Sequence, residues 1–112
     1  MERMRYIRVP KDIKAMEDYE YGVQKVEQME ELILSESQYN VFYTLKVFQL
    51  INEECDVIID DYEEEVLSLE KIPLALKIVN KIIQNYNDIN LLKFKNMLEL
   101  AIKYRTIVGF DF

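Results

Sequence analysis

The stretch VFQLINEECDVIIDDYEEEVLSLE, residues 47–70, decides how this chain is read. It lies between Lys46 and Lys71, carries no positive charge, and holds nine acids: Glu53, Glu54, Asp56, Asp60, Asp61, Glu63, Glu64, Glu65 and Glu70. The net charge of the whole chain is −7, so the remainder is slightly basic and the acidity is local. On a helical wheel centred on Cys55, Ile51, Ile58, Ile59, Tyr62 and Val66 fall within about 60°. The acids from Glu53 to Glu65 fall on the opposite side, with only Val57 among them. A strand would put acids on both faces, because Asp60-Asp61 and Glu63-Glu64-Glu65 are contiguous. The pattern therefore predicts a helix with one apolar and one acidic face. Three like-charged pairs at i,i+4 (Asp56–Asp60, Asp60–Glu64, Asp61–Glu65) each cost a few tenths of a kcal/mol on such a helix, about 0.2–0.5. Glu63, Glu64 and Glu65 also crowd its C-terminal end, where the dipole disfavours anions.

Upstream, Ser35 and Gln38 have capping-box spacing. From there Tyr39, Tyr43, Val47, Ile51, Cys55, Ile58, Tyr62 and Val66 predict helix to residue 67, about 30 residues, bent or divided near Asn52 or Asp60. Another helix is expected over residues 11–34, from the stripe Ile13, Met16, Tyr19, Val23, Val26 and Ile33. Pro73 suits the first turn of a third helix with Leu76, Val79, Ile82, Ile83 and Tyr86 inward. Asn87 or Asp88 caps a fourth that runs to Tyr104, with Leu91, Phe94, Leu98, Ala101 and Ile102 inward. Residues 3–9 read as a strand ended by Pro10. The tail 105–112 reads as another, with Val108, Phe110 and Phe112 on one face. The expected fold is mainly α within the α+β class. It is a four-helix-like bundle with a small two-stranded sheet pairing the N- and C-terminal segments, in one domain over residues 1–112.

The composition removes most chemistry. No histidine is present, so the usual general base, metal ligand and Ser-His or Cys-His systems are absent. Two isolated glycines cannot build a phosphate-binding loop, and one cysteine cannot build a zinc site or an internal disulfide. Cys55 falls on the apolar stripe and reads as a buried thiol. Asp56, Asp60 and Glu64 stack at i, i+4 and i+8 on the expected helix and offer oxygen ligands. They lack the glycine and spacing of an EF-hand loop, so no metal and no cofactor is expected. No secretory leader or membrane span is recognised, and a cytoplasmic protein is expected.

The functional expectation is a non-enzymatic acidic binder. The profile (small, acidic, one domain, without catalytic residues) resembles bacterial immunity and antitoxin proteins in size and charge. That resemblance implies a stoichiometric inhibitor that masks a basic partner such as a nuclease toxin. The expected partner-binding residues are Glu53, Asp56, Asp60, Asp61, Glu64 and Glu65, joined by Tyr21, which lies off the first helix's stripe beside Glu17 or Glu20. Nucleic acid is not expected as a partner, because a chain of this charge repels phosphates. Mimicry of nucleic acid by the carboxylate row remains open. No membrane partner is expected. The alternatives are a self-associating helical adaptor, forming a homodimer, and a carboxylate metal-binding protein. Neutralisation of the acids inside the fold by Lys77, Lys81, Lys93, Lys95, Lys103 and Arg105 is a third reading of the charge.

Overall fold

The computed structural model describes residues 3–112. The chain alternates strands and helices: β1 (Arg5–Pro10), α1 (Ile13–Glu20), β2 (Met29–Leu34), α2 (Glu36–Thr44), α3 (Val47–Cys55), β3 (Glu64–Leu67), α4 (Ile72–Ile83), α5 (Ile89–Tyr104) and β4 (Val108–Asp111). The four strands form one antiparallel sheet in the order β2-β1-β4-β3. The expected bundle with a two-stranded sheet is thus corrected to an α+β fold with five α-helices and a four-stranded sheet among the described residues. The expected pairing of the two terminal segments is present as β1 against β4, at the centre of that sheet.

Two helices expected from periodicity are broken by local backbone chemistry. The helix expected over 11–34 stops at Gly22, whose φ is +71. There Gly22 N–H donates to Tyr19 O, and Val23 N–H donates to Asp18 O. This is a Schellman ending with glycine in the left-handed position. The apolar residues of 29–34 then serve a strand instead. The helix expected to residue 67 is cut twice, by Lys46 and Asp56, both with positive φ. Asn52 locks the second break: its amide donates to Ile59 O (2.9 Å) and accepts from Ile59 N–H (2.7 Å). A helix through this region would have stacked Asp56, Asp60 and Glu64 in one row of repelling charges. The loop and strand actually formed avoid that stack.

Strand alternation gives the sheet two different faces. Ile7, Val9, Leu32, Leu34, Leu67, Val108 and Phe110 point inward and are buried. Beyond β4, Phe112 continues the inward row. Phe48 packs against Tyr39, Phe42, Phe94, Phe110 and Phe112 with ring centroids 5.2–6.0 Å apart, so α2, α3, α5 and the C-terminal strand share one aromatic core. Cys55 is buried at its margin, and burial pushes its thiol pKa up. The opposite face carries Tyr6, Arg8, Glu31, Glu64, Gly109 and Asp111. Helix α1 lies over this outer face, where Tyr19 reaches Gly109 and Asp111.

Asp88 caps α5 by accepting the N–H groups of Asn90 and Leu91 at 2.9 and 3.1 Å. Asp88→Ala should cost about 1 kcal/mol and lower the thermal midpoint by about 4 °C, read by circular dichroism.

Candidate acidic edge and outer groove

The nine acids do not share one helix face. Glu53 and Glu54 lie in the last turns of α3, Asp56, Asp60, Asp61 and Glu63 in the loop that follows, and Glu64 and Glu65 on β3. The last acid, Glu70, follows β3. The wheel's apolar side is divided as well: Ile51, Cys55 and Ile59 are buried, whereas Ile58, Tyr62 and Val66 are exposed. β3 is an edge strand, and the 56–63 loop leads into it and is tied to it where Ile58 N–H donates to Glu65. Seven of the nine acids are exposed, and Asp61 and Glu65 are half-buried.

Those two half-buried acids are occupied by the fold. Arg5, only 4% exposed, donates to Asp61 through Nε (3.0 Å) and Nη2 (2.9 Å), and Arg3 pairs with the same carboxylate. The Arg5 guanidinium also lies 4.2 Å from the centroid of the Tyr39 ring. Glu65 accepts the N–H groups of Ile58 (2.8 Å) and Val66 (2.9 Å), tying the loop to the edge strand. Asp60 caps its own turn by accepting Asp61 N–H. Among the described residues Asp61 is the one acid of the nine in an ion pair, and its cations come from the N-terminal strand region. Neutralisation by the lysines of α4 and α5 and by Arg105 is therefore corrected: none of them pairs with the acidic stretch among the described residues. The three-carboxylate stack considered for a metal does not form, and no group of three metal-ligating residues is found among the described residues.

Tyr21, expected as a contact, caps the end of α1 and is 80% exposed. It is brought to Glu64 and Glu65 across a groove of about 1090 Å³ on the outer face of the sheet. The other nominated residues, Glu53, Asp56, Asp60 and Asp61, are not on this groove. Sequence reasoning missed the rest of its lining, chiefly Tyr6, Arg8, Tyr19, Glu20 and Asp111. The alternation Tyr6-Ile7-Arg8-Val9 was the signal that could have found it, since it places Tyr6 and Arg8 on opposite sides from Ile7 and Val9. Arg8 Nε donates to Glu31 at 2.8 Å and its Nη1 pairs with Asp111. Burial alone would lower the Arg8 pKa, but the hydrogen bonds to Glu31 and Asp111, together with the charges of those two carboxylates, outweigh it and the net shift is upward. Tyr19 Oη donates to Asp111 at 3.3 Å, and burial, followed by the Asp111 charge, drives its pKa far upward. Tyr43, Tyr62 and Tyr86, expected at the core or its edge, are exposed, while Tyr39 is buried.

Among the described residues no helix is long and apolar enough to cross a membrane. No protein-family model and no curated protein matches the sequence. Among solved structures the chain is similar to the Neisseria DNA mimic protein DMP12, with a TM-score of 0.63 and 20% identity over 97% of this chain and 98% of that one. At this identity the likeness shows a shared fold. It also corrects the expected partners. The setting-aside of nucleic acid rested on net charge and the choice of a toxin on size and charge, and neither distinguishes a chain that repels phosphates from one that imitates them.

Proposed function

We propose that this chain is a non-enzymatic binding protein that imitates nucleic acid. Its acidic edge occupies the surface with which a nucleic-acid-binding protein holds phosphates. The observation that carries this reading is the run of exposed carboxylates Glu53, Glu54, Asp56, Asp60, Glu63 and Glu64, making no ion pair among the described residues, from the end of α3 through the loop that follows to the edge strand β3. A similar fold in a protein named a DNA mimic supports it. A surface built to bind a polyanion through lysine and arginine accepts any rigid row of anions of similar density. Holding that row on a strand edge and a pinned loop lowers the ordering cost of binding. The uniform sign steers a cationic partner at long range and makes association weaken with salt. Asp61 and Glu65 have a structural part in this reading: through Arg5 and the Ile58 and Val66 N–H groups they fix the loop that presents the others.

Competition tests this reading. Host proteins retained on immobilised duplex DNA and released by salt are offered to the purified chain. A captured protein should be displaced by added duplex DNA. Asp56→Lys with Asp60→Lys should weaken its capture by about tenfold or more while lowering stability by no more than about 1 kcal/mol, the cost of the Asp60 cap and the left-handed Asp56 position. Simultaneous binding of DNA and this chain by the captured protein, or undiminished affinity of the double variant, would exclude mimicry.

A further inference from the structure

The outer groove has features that an acidic edge alone does not need. Its only cation among the described residues, Arg8, is already held by Glu31 and Asp111. Glu20 and Glu64 face the same space and make no ion pair among the described residues. Tyr6, Tyr19 and Tyr21 supply aromatic surface around them. The Arg8 guanidinium itself stacks 4.6 Å from the centroid of the Tyr6 ring, so this surface already accommodates one guanidinium. Gln24, which also lines the groove, has Oε1 buried with no hydrogen-bond partner among the described residues, an acceptor the fold leaves unused. The adjoining turn exposes Tyr21, Val23 (64%) and Val26 (91%), an apolar rim left uncovered among the described residues. Aromatic walls, free carboxylates and an apolar rim together match a cation on an alkyl stem. The stem lies on the rings and the charged head meets the carboxylates.

We propose that this groove is the docking site for an extended basic segment of the nucleic-acid-binding partner, which inserts an arginine side chain between the tyrosines and the Glu20–Glu64 pair. Arginine suits it better than lysine because a planar guanidinium can stack and donate in a fork at once. The proposal rests on the mimicry reading for the identity of the partner. Glu64 belongs both to the acidic edge and to the groove, so a protein tracking the edge arrives at the groove mouth.

The test titrates the full chain with the blocked peptide Gly-Arg-Gly-Arg-Gly and follows its resonances by NMR. The Tyr6, Tyr19 and Tyr21 ring signals and the Gly109 amide should shift together. Replacing arginine by its neutral isostere citrulline should weaken binding at least about tenfold, and so should Glu20→Gln with Tyr21→Ala. The Asp56→Lys/Asp60→Lys variant should still show the groove shifts. Shifts confined to residues 53–63, or unchanged binding in the Glu20/Tyr21 variant, would overturn the groove, whereas competition with DNA decides the acidic edge separately. Spermidine binding as tightly as the peptide would overturn the groove too, because it would then be a site for free polyamines.

Discussion

Asp61→Asn should destabilise the protein by about 3 kcal/mol, whereas Asp60→Asn, one residue earlier, should change stability by less than about 0.5 kcal/mol. The two acids differ in what the fold asks of them. Asp61 is the counter-ion of Arg5, whose side chain is 5% exposed while the carboxylate keeps 29%. The arginine is therefore the more deeply desolvated partner, and removing the aspartate charge leaves a guanidinium compensated by the Tyr39 face and a 3.5 Å hydrogen bond to the Arg3 carbonyl, neither of which carries a charge. An asparagine can accept one of the two hydrogen bonds and turns a donor toward the other. Asp60 accepts one local N–H and otherwise faces water. Urea unfolding separates the two if the slope stays constant and only the midpoint moves. Arg5→Met in the Asp61→Asn background should recover part of the loss, since it removes the stranded charge. Equal stability of the two single variants would mean that Arg5 is hydrated and the ion pair is not holding the loop. This contrast also governs how the acidic edge is to be probed. A binding defect in an Asp61 variant would report unfolding of the loop, whereas variants of the exposed acids without ion pairs, Asp56 and Asp60 among them, report charge.

The same pair explains where sequence reading succeeded and failed. Elements fixed by local signals were legible: Pro73 in the first turn of α4, Asp88 at the start of α5, the Ser35–Gln38 capping box at α2, and the inward alternation of Val108, Phe110 and Phe112. β2 and β3 were not. Met29, Leu32, Ile33 and Leu34 satisfy a helical stripe as well as a strand, and only pairing with β1, which is distant in sequence, decides between them. The Gly22 signal lay inside the expected helix and outweighed its periodicity, because a left-handed residue ends a helix whatever follows. β3 broke the rule that acids on both faces exclude a strand. That rule assumes both faces are covered. At a sheet edge an inward-side acid can turn to the open backbone, as Glu65 does toward Ile58 and Val66 N–H. The local concentration of charge was therefore readable, but its shape was not. The wheel gave a helical flank, and the chain built an edge from helix end, loop and strand. The groove was the least visible feature, since it joins residues 6–8, 19–24, 64–66 and 107–111 through contacts that no local pattern encodes.

Gly109→Ala should cost about 2 kcal/mol, and the cost should disappear when Tyr19 is also replaced by alanine. Gly109 sits on the outer face of β4, opposite Arg8 of β1 and Val66 of β3. A Cβ there would stand 2.6 Å from Tyr19 Cζ and 2.8 Å from Cε2, well inside van der Waals contact. The Tyr19 ring is half-buried and tethered to Asp111, so it cannot turn aside without losing that hydrogen bond and lifting the end of α1. Glycine is otherwise a poor strand residue, disfavoured by about 0.5–1 kcal/mol relative to alanine. Its presence here is explained by the close approach of the phenol rather than by any turn. In the Tyr19→Ala background the clash is gone and only the strand preference remains, so adding Gly109→Ala should be neutral or slightly stabilising. The full cycle, measured by denaturant unfolding, should give a coupling near about 2 kcal/mol. Additive single effects would mean that α1 does not lie on this face, and the groove between α1 and β3 would lose its wall. A large coupling would instead show that the tyrosine holding α1 to the sheet also sets the width of the groove, so that the close fit of one glycine fixes the geometry available to a cationic ligand.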